Sequence, residues 1–260
     1  MKNIGFIGVG YMGYGIAKNI LKKNHNLYVV ANKNRKPIDK IIADGAKEIK
    51  LLEEFSNKNL DALFMCVTNT PIAKSISERM IKILDSKTII IDITTHNKTG
   101  SVETEEIYKL KNINYVECPV MGGPVQAEEG VLGGIIGATD DNFKLAEPYL
   151  KIFCKDYFHF GVVGMGAKSK LLNNFLTLGN AALINHVAKS ATKLGLDLKK
   201  FYDVAKLGSG NSTALNRIFD SLLKDFPEAA KVAEVNRNYF QKAVDDGYGE
   251  NFISELISKK

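Results

Sequence analysis

The sequence predicts an α/β protein in two parts, a doubly wound parallel sheet followed by an all-α region. Three observations carry this prediction. Up to about residue 160, short apolar runs alternate with helix-like stretches, the order in which parallel strands and their crossover helices appear. From residue 168 to 194 that alternation stops. Apolar residues then fall at 171, 172, 175, 176, 178, 183, 184, 187, 191 and 194, the spacing of one long helix with a wide apolar face. Between the two regimes lies Gly161-Val162-Val163-Gly164-Met165-Gly166, a glycine-rich stretch suited to a boundary. The predicted domains are residues 1–163 and 164–260.

Taken in order, Asn3–Ile7 reads as a buried strand and residues 11–23 as a helix. Residues 26–31 form a second strand, followed by a helix around 37–44 and a short strand at Lys47–Ile49. Residues 60–67 and 88–93 are strands, separated by a helix that starts after Pro71. Asn114–Glu117, 131–137 and 157–160 are further strands. The long helix of the second part is stopped by Gly195, and residues 198–207, 213–223 and 232–246 continue as helices.

Composition excludes several classes. The 260 residues are 45% hydrophobic and 25% charged, with 22 Gly and 6 Pro, which is an ordinary globular balance and not that of a disordered or collagen-like chain. The longest uncharged stretch, 171–188, holds four Asn and a His, so it is not a membrane span. The apolar start faintly resembles a secretory leader, but five Gly and the lack of a small-residue cleavage site before Lys18 speak against one. Cys66, Cys118 and Cys154 are odd in number, widely spaced and without a C-x-x-C, which fits a reducing cytoplasm better than a disulfide or zinc framework. His25, His96, His159 and His186 show no metal-ligand spacing, so no metal is expected. The formal charge is +6, from 31 scattered Lys and 4 Arg with no arginine-rich tract. That distribution favours small anionic ligands over nucleic acid.

Three stretches carry chemistry. Gly8-Val9-Gly10-Tyr11-Met12-Gly13 is a G-x-G-x-x-G between a predicted strand and a predicted helix, the context in which the pattern binds a dinucleotide. Gly8 makes the tight turn, Gly10 lets backbone approach a pyrophosphate, and Gly13 lets helix and strand pack closely, with the helix N-terminus facing the phosphates. This makes the first domain Rossmann-type. At the end of the second strand, where an Asp or Glu would bind the ribose of NAD, stand Asn32, Lys33, Asn34, Arg35 and Lys36. An amide and cations there favour the 2′-phosphate, so NADP is expected, with NAD as the other possibility; ordinary solvated loop charge is the bland alternative. The second stretch, Glu117-Cys118-Pro119-Val120-Met121-Gly122-Gly123-Pro124, follows a strand. Its paired glycines fit equally a backbone N–H cradle for a carboxylate and a tight turn needing positive φ. The third, Lys170, Asn173 and Asn174, puts two poor helix formers on the lysine's side of the long helix. A lysine at a cleft transfers protons when its pKa is lowered, whereas most lysines are simply solvated.

Together these stretches resemble the β-hydroxyacid dehydrogenase family. That family includes 3-hydroxyisobutyrate dehydrogenases and glyoxylate/succinic semialdehyde reductases and is related to 6-phosphogluconate dehydrogenase. Gly5 through Gly13 with Ala17-Lys18-Asn19 is similar to its dinucleotide fingerprint, and Asp92-Ile93-Thr94-Thr95 with Ser101 to its Asp-x-Ser-Thr segment. Pro119 to Gly123 with Ala127 and Gly130 is similar to its substrate signature, and Gly164-x-Gly166-x-x-x-Lys170-x-x-Asn173-Asn174 to its catalytic motif. The likeness resumes at Tyr239-Phe240, Ala243 and Gly247-Tyr248-Gly249. The resemblance implies hydride transfer between NADP(H) and a small carboxylate-bearing aldehyde, keto acid or 3-hydroxy acid. It makes Lys170 the general acid/base and Asn174 a substrate holder, with Gly122 and Gly123 binding the carboxylate beside Met121. Thr95 would lie near the nicotinamide and substrate, and Cys66 and Val67 would line the cofactor cleft. A homo-oligomer, dimer or tetramer, is implied too.

The chain departs from the family pattern at Met121, where Ser is frequent, and at Lys98, where Pro is usual. It also lacks a Lys-Asp segment in its last third, and the stretch from Leu223 to Tyr239 is shorter than usual. Two classes therefore stand beside each other, an oxidoreductase and a non-catalytic dinucleotide-binding scaffold, with an imine reductase as a lesser third.

Overall fold

The computed structural model describes residues 1–31 and 34–223. Its first part alternates β1 (Asn3–Ile7), α1 (Gly13–Lys22), β2 (Asn26–Val30), α2 (Lys36–Ala43), β3 (Lys47–Ile49), a 3₁₀ turn (Leu52–Asn57), β4 (Ala62–Met65), α3 (Thr70–Met80), β5 (Ile89–Asp92), α4 (Gly100–Lys109) and β6 (Asn114–Glu117). The six strands form one sheet in the order β3-β2-β1-β4-β5-β6, every pair parallel. The strand order reverses between β1 and β4, which is where an open α/β sheet leaves a crevice at its carboxyl edge.

These strands are nearly uninterrupted apolar runs because a parallel sheet is covered on both faces. Ile4, Phe6, Val29, Phe64 and Ile91 pack on one face; Ile7, Leu63, Met65, Ile90 and Tyr115 pack on the other. Phe64 stacks on Phe6 with centroids 5.7 Å apart and meets Phe153 edge-on at 5.9 Å, tying the sheet to the chain that follows it.

The predicted strands beyond residue 117 do not extend this sheet. β7 (Val120–Met121), β8 (Leu132–Ile136) and β9 (Cys154–His159) form a separate three-stranded sheet, β7-β8 antiparallel and β8-β9 parallel. Glu117 and Gly137 join the two sheets by exchanging both backbone N–H···O bonds at 3.0 Å. Two helices, α5 (Pro124–Glu129) and α6 (Asp140–Leu150), connect these strands. α5 is locked to α1 by the buried Asn19, whose Nδ2 donates to the carbonyls of Gly15, Ala127 and Glu128 at 2.9, 2.8 and 3.2 Å. A Cβ on Gly15 would stand 2.5 Å from Glu128 N, so the close helix approach requires glycine.

Helices α4 and α6 carry no legible apolar period. The buried positions of α4 are Gly100, Ser101, Thr104, Glu105 and Tyr108, and Pro148 lies inside α6. α7 (Met165–Lys193), α8 (Leu198–Ala205) and α9 (Thr213–Leu223) complete the described chain. The compact units are Met1–Leu171 and the part from Leu172 onward, so the division falls inside the start of α7. In the second unit Ile184, Ala188, Tyr202, Leu215 and Phe219 form a core, with Tyr202 stacked on Phe219 at 5.2 Å. Asp197 caps α8 by accepting from Lys200 N at 2.9 Å. The helix expected at 232–246, the resumed likeness near Tyr239 and the shortened stretch after Leu223 lie outside the described residues. Among the described residues, no helix is long and apolar enough to cross a membrane.

Candidate active site

Gly8, Gly10, Gly13, Cys66, Val67 and Thr95 lie at the carboxyl edge of the six-stranded sheet because each comes after a parallel strand, whereas Gly122 and Gly123 follow β7 of the smaller sheet and Lys170 lies on α7. Gly8 leaves β1 at φ +99°, and a Cβ on it would collide with the Cys66 carbonyl; a Cβ on Gly13 would collide with the Gly8 carbonyl. Gly10 differs from both. It is exposed, and a Cβ there would meet no atom of the described residues within 4 Å beyond its immediate chain neighbours. The fold itself therefore demands Gly8 and Gly13, while Gly10 keeps clear a space that none of the described residues fills. α1 has Met12 at its N-cap, no side-chain cap and no acidic residue in its first turn; Tyr14 N donates to Gly10 O at 3.0 Å, and the uncapped helix start suits an anion. Val9 is buried, Met12 half-buried, and Tyr11 stands in solvent at 83% exposure.

Beyond β2, Asn32 and Lys33 lie outside the described residues. Arg35 is exposed and already engaged. It donates to Glu48 at 2.6 and 3.2 Å and to Asp39 at 2.7 and 3.2 Å. The pairing pulls the Glu48 carboxyl down and holds the guanidinium protonated.

After β4, Cys66 N donates to Ile7 O and Val67 N to Thr94 Oγ1. The Cys66 residue is partly exposed, but its thiol is enclosed, and desolvation beside Asp92 pushes it up to about 12, so it is not a ready thiolate. After β5, Asp92 is fully buried and saturated. It accepts from Thr94 N at 3.0 Å and Tyr115 OH at 2.9 Å, and pairs with His96 Nε2 at 2.9 Å. His96 Nδ1 meets Thr70 Oγ1 at 3.2 Å at the start of α3. With Thr94 and His96 both buried, Thr95 between them is the exposed member of the segment. The Asp92–His96 pair was not legible as a site; its one sequence signal is a polar pair at i,i+4 closing an apolar strand.

After β6 the chain turns at Gly122, φ +115°, where a Cβ would press on Leu132 at 2.9 Å. Gly123 N donates to Gln126 Oε1 at 2.9 Å, so this N–H is satisfied within the chain rather than open. Lys170 is half-buried on the first turns of α7. Its Nζ donates to Val120 O at 2.7 Å and lies 3.6 Å from Met121 Sδ. Burial lowers its pKa from the ordinary lysine value. Lys168, two residues earlier, is exposed and points to Met165 Sδ instead. Asn173 and Asn174 belong to the second unit; both are partly exposed.

Two family models cover the chain. Residues 3–164 match the NAD-binding domain of 6-phosphogluconate dehydrogenase, and residues 164–255 match the NAD-binding part of NADP-dependent 3-hydroxyisobutyrate dehydrogenase. The chain belongs to the β-hydroxyacid dehydrogenase family. It is therefore an NAD(P)-dependent oxidoreductase. It is 26% identical to the mitochondrial 3-hydroxyisobutyrate dehydrogenase of Drosophila melanogaster over 258 residues, 99% of this chain and 75% of that one. Mycobacterium tuberculosis 3-hydroxyisobutyrate dehydrogenase, solved with L-serine, shares its fold with a TM-score of 0.77 at 19% identity over 94% of both chains. Psf3, solved with NADP+ and 2-OPP, matches with a TM-score of 0.77 at 25% identity, covering 87% of this chain and 80% of its own.

The open space over Gly10 fits the NAD(P) cofactor of the β-hydroxyacid dehydrogenases. A dinucleotide's pyrophosphate needs an uncapped helix start, a bare backbone and no competing acid, and Gly10 with α1 offers all three. Other residues of the fingerprint and of the substrate signature serve the fold. Asn19, Ala127 and Gly130 make the α1–α5 joint, and a Cβ on Gly130 would crowd Asn19 at 3.2 Å.

Proposed function

We propose that this β-hydroxyacid dehydrogenase transfers hydride between NADP(H) and a small carboxylate-bearing aldehyde, keto acid or 3-hydroxy acid, with Lys170 as the general acid/base. The observation that carries this reading is the Lys170 ammonium. It is held at the Val120 carbonyl, is partly desolvated, and has no carboxylate partner among the described residues. An ammonium in that state gives up its proton more readily than a solvated one, and it has one proton-donating position left for a substrate oxygen after its bonds to Val120 and Met121. The bound nicotinamide supplies or accepts the hydride. Thr95, exposed after β5, is assigned to the nicotinamide and substrate, and Gly122 and Gly123, which follow the Val120 carbonyl that holds Lys170, are assigned to the carboxylate once Gln126 yields the Gly123 N–H. Asn174, four residues beyond Lys170 on α7, is assigned to holding the substrate.

The preference for NADP(H) rests on Lys33 and Arg35 after β2. Arg35 reaches a 2′-phosphate only in competition with Glu48 and Asp39, so a modest preference is expected. A cytoplasmic homo-oligomer completes the reading. Three free thiols support the compartment, and the exposed Leu172, Leu176 and Leu183 on α7 support self-association.

The deciding experiment is NADPH oxidation against glyoxylate, succinic semialdehyde and methylmalonate semialdehyde, with the corresponding alcohols and NADP+ in reverse. Turnover of at least one acid, and none of the matched uncharged aldehyde, is the expected outcome. Equal turnover of acid and uncharged aldehyde refutes the carboxylate requirement.

A further inference from the structure

Glu117 ends β6 as a fully buried carboxylate in a run of apolar residues. Its Oε1 accepts from Gly164 N and Gly166 N, both at 2.7 Å, and the Ala167 N–H adds to the same cluster. These are the N–H groups at the start of α7, which a helix leaves without intrahelical partners. Two glycines make room for the carboxylate: a Cβ on Gly137 would collide with Oε1, and one on Gly166 would come within 2.9 Å of it. Ser101 in α4 neighbours the carboxyl, and among the described residues neither Oε2 nor Ser101 Oγ has a hydrogen-bond partner. Desolvation raises the carboxyl's pKa.

The same two segments touch a second time. Three residues after Glu117, Val120 O receives the Lys170 ammonium; four residues before Lys170 is Gly166, held by Glu117. One helical turn and one short stretch of strand are thus pinned at both ends.

We propose that Glu117 is a positioning residue for Lys170, fixing the first turn of α7 against the β6–β7 segment so that the ammonium meets the Val120 carbonyl. This rests on the reading of Lys170 as the proton donor. A carboxylate serves because one oxygen accepts several N–H groups, and charge-assisted bonds of 2.7 Å are short and directional. Removing it leaves those N–H groups buried and unpaired, so the turn must shift to find water.

The test compares Glu117→Ala, Glu117→Gln and Lys170→Ala as the full chain with NADP(H). It reads kcat, NADPH affinity by fluorescence titration, and the pH midpoint for acetylation of Lys170 by acetic anhydride, followed by peptide mass spectrometry. A misplacement of about 1 Å costs as much as about 100-fold in rate, so Glu117→Ala is expected to lower kcat by about 10–100-fold. NADPH affinity should stay within a few-fold, and the acetylation midpoint should rise toward that of a solvated lysine. Glu117→Gln, which keeps an acceptor oxygen, should restore most of both. Parental kcat and midpoint in Glu117→Ala, or a Gln variant as impaired as the Ala variant, overturn the proposal. So does a parallel loss of kcat and cofactor affinity. If Glu117→Ala does not fold, Glu117→Asp, one methylene short of α7, decides: a raised midpoint supports the proposal and a parental one overturns it. Lys170→Ala with parental kcat removes the proton-donor reading, while the acetylation midpoint still judges the placement without turnover.

Discussion

Lys170 shows how much one side chain's chemistry depends on its surroundings. Thirty other lysines share its chemistry, and among the described ones its distinction is the loss of water around an ammonium that retains one carbonyl partner. As a general acid it should contribute about 10²–10⁴-fold, so Lys170→Ala is expected to lower kcat by that factor with NADPH affinity nearly unchanged. Lys170→Arg should not rescue, because guanidinium does not deprotonate near neutral pH. Lys168→Ala should be silent, since Lys168 is exposed and turned to Met165. The pH dependence has a definite sign. Reduction needs the charged form, so its kcat falls as pH rises through the Lys170 pKa; oxidation needs the neutral form and rises through the same value. Burial lowers that pKa, so both limbs are expected below the pH of an ordinary lysine, and limbs that coincide with it would count against the assignment. Gly123 supplies a second residue-scale prediction. Its φ of −119° suits any residue and, among the described residues, a Cβ would approach only Gln126 Oε1 at 3.4 Å, so Gly123→Val should fold normally. Its branched side chain should then raise KM for acidic substrates and spare cofactor affinity; unaltered kinetics would mark the pair as a turn alone.

At the scale of elements, the β1–α1 turn separates what the fold needs from what the ligand needs. Gly13→Ala puts a methyl group into the Gly8 carbonyl and should lower stability in urea unfolding, whereas Gly10→Ala meets open space and should leave stability unchanged while weakening cofactor binding. Loss of stability in both variants would mean that Gly10 serves only the turn. The α1–α5 joint gives a contrasting case. Asn19→Ala strips a buried donor from the Ala127 carbonyl and should cost about 1–3 kcal/mol with kcat preserved. Elements also mark where sequence reading fell short. The apolar strands and α1 were legible because local composition determines them. α4 was not, since it buries Ser101 and Thr104 rather than an apolar stripe, and Thr104 satisfies itself on Gly100 O. α6 was masked by Pro148, although Thr139 caps it by accepting from Asn142 N at 3.3 Å.

For the whole molecule, cofactor binding and folding are one equilibrium. A ligand at about 100 times its Kd adds about 2.7 kcal/mol to the stability of the folded state, so thermal unfolding reports preference directly. NADPH is expected to bind about tenfold more tightly than NADH at fixed salt, corresponding to roughly one charge-assisted contact. The engagement of Arg35 by Glu48 and Asp39 keeps the expected ratio modest. Equal shifts by the two cofactors would assign the basic cluster to solvent.

The sequence by itself determined the class of the fold, the G-x-G-x-x-G turn and the separation of a helical second part. Each follows from local rules: apolar period, glycine placement, and the alternation of strand and helix. It also marked Lys170, through two asparagines in the interior of a helix. Only the tertiary structure decided the rest. It gave the strand order β3-β2-β1-β4-β5-β6, sent β7, β8 and β9 into a sheet of their own, closed the Gly123 N–H with Gln126, and buried Asp92 with His96. Above all it brought Glu117 to N–H groups 47 and 49 residues away. A buried polar side chain is tolerable only where its partners arrive from elsewhere in the chain, and no local pattern says which partners those will be.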